Sequence, residues 1–286
     1  MKKITKNDHN QRINEILFQI HFDISAEHSI DSLSKSASMS PFHFNRVFKK
    51  IVGESVHAYI RRVRLEHCAN ALLFNPNSTI NEIFSEVGFV SNSSFTHAFK
   101  EYFGCTPSKW REIDTPLHVN QNIEAINPLH VEIAYVEKRR VAYVRHRGYN
   151  KSIKEAWQRM EEWTMFNNLD FSKMPMIGLH HSNPNIVKKE DCHYVACLEL
   201  DDDFIYFGDG KIGVMEIPRI FCAKFFLTGK YGDLMKYMDY IYYEWLPNSK
   251  YEKIHLPSMA LYHKNHFIRE DELFELDFYV PIRYNQ

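Results

Sequence analysis

The 286-residue chain has no apolar run near the ~20 residues that a membrane-spanning helix needs. Its start, MKKITKNDHNQR, lacks the apolar core of a secretory signal. Both absences predict a cytoplasmic protein with no membrane partner. Cysteine is sparse and odd in number: five, at Cys68, Cys105, Cys192, Cys197 and Cys222, without a short pairing motif. That excludes a disulfide framework. Cys192-His193 with Cys197 is the densest group, but the run HYVACLEL reads as a strand and no second Cys/His pair has zinc spacing. Buried free thiols are expected, with no metal. A Ser-His-Asp pattern and a phosphate loop are also missing, and the 16 histidines are scattered. No catalytic set and no cofactor are predicted.

What is present is length for two ordinary domains and a repeated, locally basic pattern. The net charge of −1 hides an asymmetry. Up to Thr115 there are 14 Lys+Arg against 12 Asp+Glu, and the rest holds 21 against 24. Within 43–64, Arg46, Lys49, Lys50, Arg61, Arg62 and Arg64 meet a single acid, Glu54. Such a cluster, on and immediately after the repeated helix, predicts an anionic partner.

SPFHFNRVFKKIVG (40–53) is said again as SNSSFTHAFKEYFG (91–104). In the first copy Ser40 suits an N-cap and Pro41 the first helical position. Phe44, Val47, Phe48 and Ile51 make one buried stripe, and Gly53 ends the helix. Phe42, His43, Asn45, Arg46 and Lys49 are left on the opposite side. Upstream, a short helix from Asp31 to about Ala37 uses Ile30, Leu33 and Met39 as its apolar contacts. Two short helices, a tight turn and a polar outer face on the second describe a helix-turn-helix. In that unit the second helix enters the DNA major groove.

The second copy opens with capping-box spacing, Thr79 to Glu82. Ile80, Ile83 and Val87 form the apolar side of its short helix, and Gly88 supplies the turn. Phe95, Ala98, Phe99 and Phe103 pin the second helix, while Asn92, Ser93, Thr96 and His97 face outward. Gly104 closes it, and Thr106-Pro107 opens a last short helix. The copies are offset by 50 residues before the turn and 51 after it, so the second turn is one residue longer. Between them 56–74 reads as one long helix, a spacer for the two units.

The residues Leu33, Ser40-Pro41, Phe44, Phe48-Lys49, Gly53, Tyr59, Arg64-Leu65, Ala69, Leu72-Leu73, Ile83, Gly88-Phe89, Ser93, Phe95, Phe99-Lys100, Gly104 and Pro107 resemble the AraC/XylS family of bacterial transcription regulators, over about 8–112. The resemblance implies two helix-turn-helix units that reach successive major grooves of promoter DNA. Carried over, base contacts fall on Phe42, Asn45, Arg46, Asn92, Ser93, Thr96 and His97. Phosphate contacts fall on Lys49, Lys50, Arg61, Arg62, Lys100 and the helix start at Thr79. Arg46 matches the two acceptors of guanine. The chain departs from the family at Phe84, where a small residue is usual, and at His97, which often has an Arg counterpart. The first unit is therefore expected to dominate specificity.

From 113 to 128 no period survives, which predicts a linker. Beyond it, 129–286 repeats itself with an offset near 82. Gly148-Tyr149 answers Gly229 and Tyr231, Ile153 answers Met235, and Trp163 answers Trp245. MPMIGLHHSN (174–183) answers LPSMALYHKN (256–265), and YVACLEL (194–200) answers FYVPIRY (278–284). Each copy reads strand, helix, strand, strand, with VEIAYVEKRRVAYVRHRG and KIGVMEIPRIFCAKFFLTG as the opening strands. Two α+β halves related by a pseudo-twofold are expected, in one sheet or two facing ones, with a cleft between them.

RRVAYVRHRGYNKSIKEAWQRMEEW, IGLHHSNP, FFLTGKYGDL, WLPNSKY and LDFYVPI resemble the GyrI-like small-molecule-binding domain. The whole then has a Rob-like, multidomain architecture: an all-α double helix-turn-helix followed by an α+β effector domain. The resemblance implies a cleft for bulky, often cationic organic compounds, faced by an acid on the last strand. The matching position is Asp277, with Glu275 on the same side of the strand. Tyr149, Trp163, Tyr231 and Trp245 are the aromatic candidates. Three readings stay open: a ligand-sensing regulator, a hydrolase using Asp277 or Glu275 with a cleft tyrosine, and a protein-sequestering module. In the first, a compound acts on promoter affinity or on contact with RNA polymerase only by favouring one conformation. A monomer and a homodimer fit equally.

Overall fold

The computed structural model describes residues 2–75, 78–112, 129–201, 203–206 and 212–285, with side chains from residue 9 onward. The expected linker, 113–128, lies outside the described residues. Helices up to Arg111 belong to one compact unit and the strands from Val131 onward to a second.

The first unit is all helical: α1 (Lys2–Phe22), α2 (Ile30–Ser36), α3 (Pro41–Val52), α4 (Val56–Phe74), α5 (Ile80–Glu86), α6 (Asn92–Phe103) and α7 (Pro107–Arg111). Helix α1 was not foreseen, although Ile13, Ile16, Leu17 and Ile20 recur at helical spacing and are buried. It is tied to α4 by His21 Nε2 and the Tyr59 hydroxyl, 2.6 Å apart. The pairs α2–α3 and α5–α6 form the two helix-turn-helix units. Phe44, Val47 and Phe48 fill the first, and Phe95, Ala98 and Phe99 the second. Ile51 and Ile30 depart from expectation: each sits at the margin of its stripe and stays more than a third exposed. Ser40 takes the extended N-cap backbone but its side chain makes no cap hydrogen bond; Pro41 supplies the preset φ instead. The capping box at Thr79–Glu82 forms in full.

Two features bind these units to α4. The Arg64 guanidinium donates to the carbonyls of Ile24 (3.0 Å), Ala26 (2.8 Å) and Gly88 (3.0 Å), joining the loop between α1 and α2 to the turn between α5 and α6. Gly88 has φ +81°, and a Cβ there would stand 2.6 Å from the Ser25 carbonyl oxygen and 2.9 Å from Arg64. Only glycine allows that approach. The larger Phe84 is accommodated by stacking on Phe95, with centroids 5.4 Å apart.

The second unit holds β1 (Val131–Val136), β2 (Arg139–Arg147), α8 (Ile153–Phe166), β3 (Met176–His180), β4 (His193–Glu199), β5 (Gly213–Ile217) and β6 (Ile220–Lys230). There follow α9 (Asp233–Asp239), which runs on as a π-helical turn Tyr240–Trp245, then β7 (Tyr251–Lys253), β8 (Ser258–Lys264) and β9 (Leu273–Tyr284). All strands join one sheet, ordered β1-β6-β9-β8-β3-β4-β2-β5, with β7 on β9.

The pseudo-twofold passes between β3 and β8, through the pair Gly178↔Ala260. From there the same row runs outward through Ala196 and Val144 on one side and Phe278 and Phe225 on the other. Two sequence expectations are corrected. Each long opening run is two strands, broken at 137–138 and 218–219, and the pieces part company: β1 pairs with β6 of the other half, and β5 stands beside β2. The halves thus exchange their first strands. Ala196 and Phe278 are equivalent, so Tyr194–Leu200 answers Leu276–Ile282, two residues earlier than the sequence comparison placed it. A two-residue slip leaves the inward and outward faces unchanged, so hydrophobic alternation cannot detect it.

Both helices pack on one face of this sheet. Trp157 of α8 meets Tyr262 at 5.9 Å, and Trp245 meets Phe225 at 5.0 Å. Phe278 lies in the same row as Phe225, so neighbouring Asp277 points to the opposite face.

Candidate nucleic-acid interface and small-molecule cavity

On α3, Phe42 is 82% exposed, and Asn45, Arg46, Lys49 and Lys50 also stand in solvent. Arg46 lies 3.3 Å from His43 Nδ1, one helical turn back. The basic residues at the end of α3 complement its C-terminal dipole. On α6, Asn92, Ser93 and His97 are exposed and Thr96 half-buried. The Thr96 hydroxyl donates to Asn92 Oδ1 (2.8 Å), and Asn92 Nδ2 donates to Asn81 Oδ1 (3.3 Å), which orients the Asn92 amide. Lys100 is exposed. Val90, just before the N-cap Ser91, is 98% exposed. Sequence reasoning missed it; the one signal was the extra residue in the second turn.

Two phosphate-contact expectations are corrected. The Arg62 side chain is only 15% exposed and its guanidinium is spent inside the fold. It donates to Glu54 Oε1 from Nε (3.0 Å) and Nη2 (2.9 Å), and to Glu66 Oε1 from Nη1 (3.0 Å). It also lies over the Tyr59 ring. The two carboxylates hold its pKa above the ordinary range despite burial. At Thr79 the backbone N–H donates to Glu82 Oε2 at 2.6 Å. A carboxylate already occupies that helix start, so a phosphate there would meet like charge. Arg61 differs: it pairs with Glu101 in the open, where an ion pair contributes little and exchanges readily.

In the second unit a cavity of about 350 Å³ opens beside the heads of α8 and α9. Tyr149 and Tyr231, equivalents under the pseudo-twofold, both line it, with Ile153, Leu234, Met235, Pro184 and Phe267. The Tyr149 hydroxyl meets His180 Nδ1 at 2.9 Å. The polar lining includes Asn185, Asp239, His266 and the exposed Lys189. Asp239 is 3% exposed and accepts from Asn185 Nδ2 at 2.7 Å. Burial pushes its pKa up to about 6, against a smaller lowering by Asn185. Burial holds His266 down at about 4, so it is neutral near pH 7.

The other four expected ligand residues are not among those lining this cavity. Trp163 is buried against Phe204 and Tyr206, and Trp245 packs on Phe225 and Tyr251. Asp277 and Glu275 share a sheet face, but each already has a cation. Asp277 meets His263 (3.1 Å) and Lys224 (3.7 Å), and Glu275 meets Lys264 (2.9 Å). The cavity's own acid, Asp239, was missed. Its signal was a carboxylate in the apolar arc of the helix LMKYMDYIYYEW.

Residues 130–283, more than half the chain, match the family model for the GyrI-like small molecule binding domain. The chain belongs to the GyrI-like family. Residues 33–113 match a helix-turn-helix domain model, of the AraC type expected above. Over 103 residues the chain is 36% identical to the HTH-type transcriptional activator AarP of Providencia stuartii, covering 36% of this chain and 76% of that protein. The probable transcription factor PqrA of Proteus vulgaris is 31% identical over 105 residues, covering 36% of this chain and 85% of that one. The Msm operon regulatory protein of Streptococcus mutans is 33% identical over 100 residues; there the match spans 35% of this chain and only 36% of the relative. Among the described residues of this GyrI-like protein, no helix is long and apolar enough to cross a membrane, and no group of His, Cys, Asp and Glu is arranged to hold a metal.

Proposed function

We propose that the protein is a sequence-specific DNA-binding transcription regulator whose GyrI-like unit senses a small organic effector. The observation that carries this reading is the repeated helix, α3 and α6, each pinned by phenylalanines on one side and exposing hydrogen-bonding groups on the other. Arg46 reads guanine, Asn45 and Asn92 read adenine edges, Ser93, Thr96 and His97 complete the second contact, and Phe42 and Val90 meet thymine methyls. Lys49, Lys50, Lys100 and the releasable Arg61 hold phosphates. The similarity to an operon regulatory protein, a transcriptional activator and a probable transcription factor supports the reading over a hydrolase. Binding of labelled promoter DNA by the full chain at 50 and 200 mM salt tests it. Two to four phosphate contacts predict a log–log slope near −2 to −4, since each contributes about −0.9. A flat salt profile with no preference for promoter over unrelated DNA would exclude it.

A further inference from the structure

The copies α3 and α6 share a buried stripe but differ in what supports their outer faces. Arg46 and His97 hold the same place in the repeat, and so do His43 and Ser94. Ser94 turns back on its own helix start: its hydroxyl donates to the Ser91 carbonyl at 2.9 Å and accepts from the Ser91 hydroxyl at 3.0 Å. His43 instead meets two side chains. Its Nδ1 lies 3.3 Å from Arg46 Nη2, and its Nε2 lies 3.3 Å from Nε2 of His9 on α1. The two imidazoles meet edge to face, with centroids 5.1 Å apart. One helical turn after His9, Arg12 donates to the carbonyls of Ala37 and Ser38, both at 3.1 Å, in the turn before α3. On the apolar side of α1, Ile13, Ile16 and Ile20 are buried. Helix α1 is thus fixed against the first helix-turn-helix, and His9 has a fixed place beside His43.

Donor and acceptor chemistry allows this relay one arrangement of protons. A guanidinium only donates, so His43 Nδ1 accepts and carries no proton. The proton of that ring then sits on Nε2, and this N–H donates to His9 Nε2. His9 keeps its own proton on Nδ1. With the protons reversed, an N–H of His43 would point at an N–H of Arg46. His9 therefore selects the tautomer of His43, and His43 holds the guanidinium by one of its five donors. One two-donor edge of the fork stays intact, which is what guanine O6 and N7 require. An exposed arginine without such support gives up its rotamer freedom when it meets a base, at about two- to tenfold in affinity.

We propose that His43 and His9 are positioning residues for Arg46, and that α1 thereby takes part in sequence discrimination by the first helix-turn-helix unit. That role rests on the DNA-binding reading above. Competition binding by the full chain tests it, with operators that differ only at the base pair whose preference Arg46→Ala removes. The parent is expected to favour G·C there by about fivefold or more. His43→Ala should lower that ratio about two- to tenfold, and leave the ratio at a pair whose preference Asn92→Ala removes within about twofold. His43→Asn, whose Oδ1 stands in for Nδ1, should restore most of the loss. His9→Ala should act in the same direction as His43→Ala, by a smaller factor. In 15N spectra of the parent's imidazoles at pH 8.5, above the usual imidazole range, His43 should be protonated on Nε2 and His9 on Nδ1. The opposite tautomer at His43 overturns the proposal, even if His43→Ala fails to fold. A ratio indifferent to His43→Ala, or one that falls equally at both pairs, overturns it while leaving the DNA-binding reading in place. No preference at any pair removes that reading, and the positioning role with it.

Discussion

Arg46 and Arg62 carry the same guanidinium into different surroundings. Arg46 stands in solvent, with His43 Nδ1 beside it. Arg62 is locked between Glu54 and Glu66. Arg46→Ala is expected to cost about 1–3 kcal/mol of operator affinity and to relax sequence preference at one position. His97→Ala should cost less, because one ring nitrogen of an imidazole reaches a base edge where the guanidinium fork offers two parallel donors; gel-shift titration of both variants ranks them. Arg62→Ala should leave Glu66 buried without its partner and lower stability by about 3–5 kcal/mol, read by chemical denaturation. Asp239 gives a pH signature. Its pKa in the fold, about 6, lies above the unfolded value near ~3.9, so the folded chain holds the proton more tightly. The group's contribution to stability is best below about pH 4 and is lost as pH rises through about 6. Asp239→Asn should therefore gain stability over the parent at pH 7.5 and lose that advantage at pH 4, in melts run at both values.

At the scale of elements, α4 is more than a spacer. Arg64 ties it to the loop between α1 and α2 and to the turn between α5 and α6, and Arg62 links Glu54, at the end of the first unit, to Glu66, which in turn accepts from Tyr102 of α6 at 3.1 Å. These contacts set how α3 and α6 are held on α4. Gly88→Ala would force a Cβ into the Ser25 carbonyl and Arg64, at a backbone angle L-residues avoid. A loss of about 2 kcal/mol or more is expected, with affinity for a two-site operator falling further than affinity for a single half-site recognised by α3. Equal losses on both DNAs would show that α4 does not couple the units. In the second unit the exchanged strands β1 and β5 make each half complete the other's sheet. A fragment carrying one half alone lacks the strand at its edge, and should not fold cooperatively.

At the scale of the whole molecule, the chain joins a unit of tied helices to a sheet-based unit with a cavity between its halves. Regulation requires only that an occupant of that cavity favour one state of the chain over another. The coupling is measured directly: operator affinity with and without a saturating effector should differ by a factor that equals the change in effector affinity on DNA binding. Unequal factors would mean that the ligand acts elsewhere.

The sequence alone determined the elements whose signals are local. Helical spacing of Phe44, Val47 and Phe48, and its repetition at Phe95 and Phe99, specified two docked helices and hence which residues face out. The near-82 offset specified two equivalent halves, because equivalent packing needs equivalent apolar positions. What only tertiary structure decided depends on partners distant in the chain. Whether Arg62 meets a phosphate or Glu66, whether Asp277 meets a ligand or Lys224, and where the opening strands pair are settled by neighbours the local pattern does not encode. The same holds for Asp239: a carboxylate in an apolar arc is an oddity in sequence, and becomes a candidate site only when folding empties the space in front of it and brings Asn185 to its side.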